Sequence, residues 1–264
     1  MRICCLIRTL PHYRRDGFIA GIRALGAELA ERPPRVLAAE DVLIIWNRYG
    51  DNEQHAKRYE AAGGTVIVAE NGYIGHSASG DKLFALARGQ HNGAGWFPAG
   101  EEPRWKQQHI TLHPPRAGGK EIVVLPSRGI GPHGVAMPQG WTQDILRQIP
   151  AMTTLPVRVR PHPGQKLAEP LERDLRNAAA VVTWASGAAI KALALGIPVF
   201  YFLPNWIAGV AGHYGCTRLC AIPPVDEAAR DYAMHRIGWA QWSIEEIATG
   251  IPLRNLLRHY GKQT

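Results

Sequence analysis

Apolar residues recur along the chain in short runs of two alternating kinds. Ile3-Cys4-Cys5-Leu6-Ile7, Val42-Leu43-Ile44-Ile45-Trp46 and Thr65-Val66-Ile67-Val68-Ala69 are unbroken runs of strand length. Between them, residues 18–29 carry apolar side chains at helical spacing until Pro33-Pro34, and residues 51–62 read as a helix that opens on an Asp cap and stops at Gly63-Gly64. Such a continuous run fits a strand buried on both faces, and a 3.6-residue period fits a helix laid over it. Strand, helix, strand in about 30 residues is the βαβ unit of a parallel sheet.

From 71 to 119 the pattern fades into Gly, His, Trp and Pro, apart from a short apolar patch at 83–87. A structureless stretch of that length is a functional loop region or irregular surface. Its close, Leu112-His113-Pro114-Pro115-Arg116-Ala117-Gly118-Gly119, reads as a linker. The alternation then restarts, with strands expected at 121–126, 157–160, 180–183 and 198–203 and helices at 142–149, 170–176 and 187–195. The expected fold is therefore α/β, with two small Rossmann-like halves, an N-terminal domain at 1–115 and a second domain at 116–225. A mostly helical tail at 226–264, carrying Trp239 and Trp242, is expected to pack across them. In such folds ligands bind outside the carboxyl ends of the strands, in the cleft between the halves.

Composition narrows the classes. With 264 residues, 46% apolar and 20% charged, the chain has the balance of a folded globular protein. The longest apolar run, 197–203, is far below the roughly 20 residues of a membrane span. Lys plus Arg is 30 and Asp plus Glu 22, a net charge of +8, divided as 14 against 12 in residues 1–115 and 16 against 10 in 116–264. The excess of +6 in the second half, without a basic run, suggests an anionic ligand there rather than a basic tail for nucleic acid. Cys4, Cys5, Cys216 and Cys220 lack zinc-ligand spacing and read as free thiols of a reducing, cytoplasmic compartment.

Four segments carry candidate chemistry. Gly129-Ile130-Gly131-Pro132-His133-Gly134 follows a strand and fits G-x-G-x-x-G. A dinucleotide site also needs a helix starting in the motif and an acid about 20 residues on. Pro132 and Pro138 exclude the first, and Ala151-Met152-Thr153-Thr154 stands in place of the second. A glycine loop open to a phosphate, preceded by Arg128, remains alongside a plain turn. Arg158-Val159-Arg160-Pro161-His162-Pro163-Gly164 places two arginines on one side of a strand and His162 at its carboxyl end. Arginine can fork two bonds to a phosphate and histidine can donate to a leaving oxygen; a surface strand ending in a turn is the plain alternative. In Thr183-Trp184-Ala185-Ser186-Gly187, a strand gives way to a helix of small residues that contains Lys191. Its N-terminus is a ready anion site, or Ser186 is an ordinary cap. Finally, Glu70-Asn71-Gly72-Tyr73 puts a carboxylate at a strand end, where it can take a proton from an acceptor hydroxyl. Asp16, after His12-Tyr13-Arg14-Arg15, is the competing base. No Walker loop, H-E-x-x-H, G-x-S-x-G or D-x-D pair occurs, so the motifs imply no metal.

Together these segments resemble one family. Trp46-Asn47-Arg48, then a helix, Gly-Gly, a strand and Glu70-Asn71-Gly72, is similar to the segment leading into the acidic-acidic-Gly motif of bacterial capsule-polysaccharide Kdo transferases and bacterial sialyltransferases. Arg160-Pro161-His162-Pro163 resembles their His-Pro motif, and residues 183–199 resemble their phosphate-binding turn and helix ending in Gly-x-Pro-Val. The resemblance covers roughly residues 40–75 and 120–210. It implies a GT-B glycosyltransferase working without a metal on a nucleotide sugar, UDP- or CMP-linked. Arg128, Gly129, Gly131, Arg160, His162, Ser186, Gly187 and Lys191 fall on its donor side, and Glu70 matches its first acidic position, the general base. Asn71 departs from the family, which has a second acid there.

The stretch 71–98 and the tail Trp239-Ala240-Gln241-Trp242 with Glu245-Glu246 look more like small phage-borne proteins that glycosylate hydroxymethylated DNA bases. That resemblance implies a DNA acceptor, a modified pyrimidine flipped from the stack, met by His12, Arg14, Arg15, Arg88, His91 and Trp96. A saccharide acceptor of surface or capsular polysaccharide is the alternative. A different nucleotide-sugar enzyme such as an epimerase, and a non-catalytic nucleic-acid-binding protein, are the readings from other classes.

Overall fold

The contiguous apolar runs become the central strands of two sheets. A computed structural model describes residues 1–91, 93–162 and 170–258, and these divide into two units. Unit 1 comprises residues 1–91, 95–109 and 238–258; unit 2 comprises the described residues of 110–237 with Gly93 and Ala94.

Unit 1 contains β1 (Arg2–Cys5), α1 (Arg15–Ala24), β2 (Glu28–Ala30), β3 (Val42–Trp46), α2 (Asp51–Ala61), β4 (Thr65–Asn71), β5 (Phe84–Arg88) and α3 (Arg104–Gln107). Its sheet order is β11-β5-β4-β3-β1-β2, where β11 (Gln241–Trp242) comes from the C-terminal segment. Strands β1 to β4 pair parallel, β5 runs antiparallel to β4, and β11 antiparallel to β5. Ile3, Leu43, Ile44, Ile45 and Ile67 are fully buried, and each such side chain contributes roughly 1.5–3 kcal/mol by leaving water. One face packs under α2 through Leu43, Ile45, Ala56, Tyr59, Val66 and Val68. On the α1 side, Phe18 meets Phe84 edge to face, their centroids 6.0 Å apart.

Unit 2 holds β6 (Glu121–Leu125), α4 (Trp141–Gln148), β7 (Val157–Val159), α5 (Leu171–Asp174), β8 (Ala178–Thr183), α6 (Gly187–Ala194), β9 (Val199–Tyr201), β10 (His213–Tyr214) and α7 (Glu227–Ala240), whose last residues, from Gly238, belong to unit 1. The strand order is β10-β9-β8-β6-β7 and every pair is parallel. Ile122, Val124, Ala180, Val182 and Phe200 fill one face against Trp141, Ile145 and Ile149 of the α4 segment.

Several elements differ from the sequence reading, each for a tertiary reason. The first helix spans 15–24 rather than 18–29. Gly26, at φ 69°, turns the chain, and residues 28–30 pair with β1. The apolar patch inside 71–119 is the full strand β5. His113 and Arg116, in the segment read as a linker, donate their backbone N–H groups to the carbonyls of Ala194 and Gly196, which ties 113–116 to unit 2. The tail is no separate piece either: residues 238–258 supply β11, α8 (Ile244–Ala248) and α9 (Ile251–Arg258) to unit 1. Helix α8 lies directly on α1, and glycines on α1 permit it. A Cβ at Gly17 would stand 2.3 Å from Ile244 Cγ1, and one at Gly21 would stand 2.2 Å from the Ile247 carbonyl oxygen. Among the described residues no helix is long and apolar enough to cross a membrane.

Candidate functional site

In unit 2, β6, β7 and β8 lie side by side and end together, Val124 opposite Val159 and Leu125 opposite Thr183. Three of the predicted segments therefore leave the sheet at one edge. The wholly buried Thr183 stitches two of them: its Oγ1 donates to the Leu125 carbonyl (2.8 Å) and accepts from the Ser186 N–H (3.0 Å). Ser186 then caps α6, its Oγ accepting from the Ala188 N–H at 3.2 Å. That bond uses an oxygen lone pair and leaves the hydroxyl proton to donate. A Cβ on Gly187 would meet nothing within 4 Å, so the helix start opens on free space. Lys191 is exposed one turn further on, over Gly187. The loop after β6 turns at Gly129 (φ 68°) and Gly131 (φ 137°), backbone shapes that favour glycine. Trp184 Nε1 donates to the Val135 carbonyl (2.9 Å) and tethers this loop to the β8 end.

His162 stands at the end of β7. Burial first, then the charges of Arg128 and Arg160, hold its pKa below the ordinary 6.5. The imidazole is thus kept neutral in positive surroundings, where an arriving phosphate would favour its protonation. Arg128 is exposed, with no ion pair among the described residues. Arg160 differs from the expected phosphate fork: it is buried and paired with Asp174. Arg158 likewise bridges Glu121 and Asp174, both at 2.9 Å. These arginines tie β7 to β6 and α5. Pro163 and Gly164 of the motif lie outside the described residues.

In unit 1 the carboxyl ends of β1, β3 and β4 share an edge, with the start of β5 beside them. Glu70 pairs in register with Ala85, and Tyr73 Oη donates to Glu70 Oε1 at 2.8 Å. The Tyr73 backbone is fixed by the fully buried Gln241, whose Oε1 accepts from the N–H groups of Tyr73 (2.9 Å) and Ile74 (3.2 Å). Gln241 Nε2 donates to Gln108 Oε1 (3.0 Å), so the C-terminal segment builds the turn that carries the carboxylate. Strand alternation puts Glu70 on the α2 face and Trp46 and Phe84 on the α1 face. Asp16, exposed in the first turn of α1, belongs to that second face. The two candidate bases therefore occupy opposite faces of one edge.

The expected acceptor residues split. His12, Arg14 and Arg15 sit at this edge, and Arg14, Arg15 and Asp16 line an open pocket of about 620 Å³ with Ile244 and Glu245. Arg88 pairs opposite Ile67, at the other end of β4, where its guanidinium covers the Trp96 ring at 5.4 Å. His91 is only 2% exposed, and its Nδ1 accepts from the Arg48 N–H (3.4 Å). His91 is thus held inside unit 1, and Arg88 and Trp96 lie away from the carboxyl edge. Arg48 itself is buried by Glu53 (2.6 Å) and Glu60 (2.7 Å), fixing the β3–α2 turn. The sequence reading missed Lys82, whose Nζ lies 5.5 Å from the Trp46 centroid and 4.9 Å from that of Phe84. A lone lysine in an irregular stretch gives no sequence signal for such a position. Among the described residues no three His, Cys, Asp or Glu side chains form a metal-ligand group.

Two Rossmann-like halves with helices at the C-terminal end are the GT-B type of fold. Within it, the β-Kdo 2,7-transferase of Thermosulfurimonas dismutans KpsC is similar in structure, with a TM-score of 0.52 at 14% identity over 88% of this chain and 89% of that one. The β-Kdo 2,4-transferase of the same protein aligns with a TM-score of 0.47 at 12% identity, over 90% and 98%. No protein-family model matches the sequence, and no curated protein matches it.

Proposed function

We propose that the protein is a glycosyltransferase that moves a sugar from a UDP- or CMP-linked donor to a saccharide hydroxyl. The observation that carries this reading is the unit 2 edge, where His162, Arg128, the Gly129–Gly131 loop and the open start of α6 converge on three parallel strand ends. Its chemistry suits a nucleotide phosphate: N–H groups at a helix start and an exposed guanidinium favour negative charge. In the reaction the bond from the donor's anomeric carbon to the phosphate oxygen breaks, and its electron pair leaves on the nucleotide. His162, Arg128 and α6 stabilise that charge as it grows. Glu70, aimed by Tyr73, takes the acceptor hydroxyl's proton, and the acceptor oxygen forms the new glycosidic bond.

Two things support a saccharide over modified DNA. The GT-B likeness is to Kdo transferases, and three residues of the basic aromatic entry expected for DNA, Arg88, His91 and Trp96, do not gather with the other three. The test incubates the protein with UDP-, CMP- and GDP-sugars and either oligosaccharides or hydroxymethylcytosine-containing DNA, and weighs the products. Mass gain on an oligosaccharide is expected. Gain on DNA alone would restore the DNA reading, and no gain on either would overturn the enzyme.

A further inference from the structure

Lys82 is a cation with aromatic company and, among the described residues, no ion-pair partner. Its Nζ sits over Trp46 and Phe84 and makes a long hydrogen bond, 3.4 Å, to the His12 carbonyl. No carboxylate pairs with it among the described residues. The neighbouring Asp81 accepts from Ser79 Oγ at 2.7 Å instead. Although the side chain as a whole is exposed, loss of water around the ammonium pulls its pKa below the usual 10.5, with no opposing charge to restore it. An ammonium has three donors, so most of its bonding capacity faces outward beside the rings. Tyr13 stands edge-on to Trp46 at 4.7 Å, and the exposed His12 ring lies 4.0 Å from Tyr13. Both Tyr13 and Trp46 keep partial exposure, so a ligand can reach them.

We propose that Tyr13, Trp46 and Lys82 form a binding subsite for an acidic ring, a saccharide that carries a carboxylate or a phosphate. The apolar C–H face of the ring packs on the aromatic side chains, and the acidic group completes the shell of the Lys82 ammonium. Cation–π contact leaves the positive charge largely uncompensated, whereas an anion supplies a charge-assisted bond in a partly desolvated place. The subsite rests on the acceptor-side reading of unit 1 and deepens it, because it names the chemistry that the acceptor presents.

Binding is measured without donor, so this inference and the enzyme reading fail separately. The Trp46 indole N–H resonance, assigned with Trp46→Phe, is followed during titration with methyl galacturonoside, galactose 6-phosphate and neutral methyl galactoside. At least one acidic probe is expected to shift that resonance and bind roughly tenfold tighter than the neutral one, the size of one charge-assisted bond. The tighter acidic probe identifies the group as carboxylate or phosphate. Lys82→Gln should erase the preference and Lys82→Arg should keep it. Equal binding of all three probes, no shift at Trp46, or a preference that survives Lys82→Gln would each overturn the subsite.

Discussion

The two carboxyl edges occupy the same topological place in two similar α/β halves, yet their chemistry is opposite. Unit 2 presents main-chain N–H groups, a glycine loop, Arg128 and a neutral His162, all suited to an anion. Unit 1 presents rings, a lysine and the carboxylates Glu70 and Asp16, suited to a hydroxyl-bearing ring. Parallel strands create a place for a ligand, and the residues just past their ends decide which one. The charge leans the same way: residues 110–237 hold 13 basic against 8 acidic side chains.

The largest effect should come from the unit 1 base. Glu70→Gln should lower kcat by about 10²–10⁴-fold while nucleotide affinity, measured by calorimetry, stays unchanged. Asp16→Asn should leave kcat within a few-fold; the reverse ranking would move the base to the α1 face. Next is the frame of that edge. Gly21→Val forces a side chain against the Ile247 carbonyl and should cost about 3 kcal/mol in denaturant unfolding. A neutral outcome would separate α8 from α1.

On the unit 2 side, His162→Gln should weaken nucleotide binding by about 10–100-fold. Its pH dependence has a definite sign. Burial and the two arginines disfavour the imidazolium, so below the ordinary value of 6.5 the unfolded chain binds more protons than the folded one. That contribution to stability falls as pH drops through 6.5. A bound phosphate favours the imidazolium, so affinity should rise as pH falls over the same interval in the wild type, and more steeply than in His162→Gln. The smallest effect is Ser186→Ala, which removes the α6 cap and should cost about 1 kcal/mol.

Much of the sheet framework was legible because β3, β4, β6 and β8 are continuous apolar runs bounded by turns. The unit 2 motifs were legible for a related reason: each follows its strand directly, so alternation and caps locate it. What escaped the sequence depends on distant partners. β5 is a strand because β4 and β11 flank it, and residues 238–258 join unit 1 through the Gln241–Gln108 bonds and the glycine-lined face of α1. Arg160 looked like a phosphate ligand until Asp174, 14 positions away, claimed it. His91, expected at the acceptor entry, packs against Arg48, 43 positions back.

Amide hydrogen exchange with and without saturating UDP, CMP or GDP tests the assignment of the anion site most directly, because it reads both edges at once. At least one nucleotide should slow exchange in peptides covering 127–133 and 184–190 while those covering 9–17 and 70–84 keep their rates. Protection confined to the unit 1 peptides, or no protection by any of the three nucleotides, would contradict it.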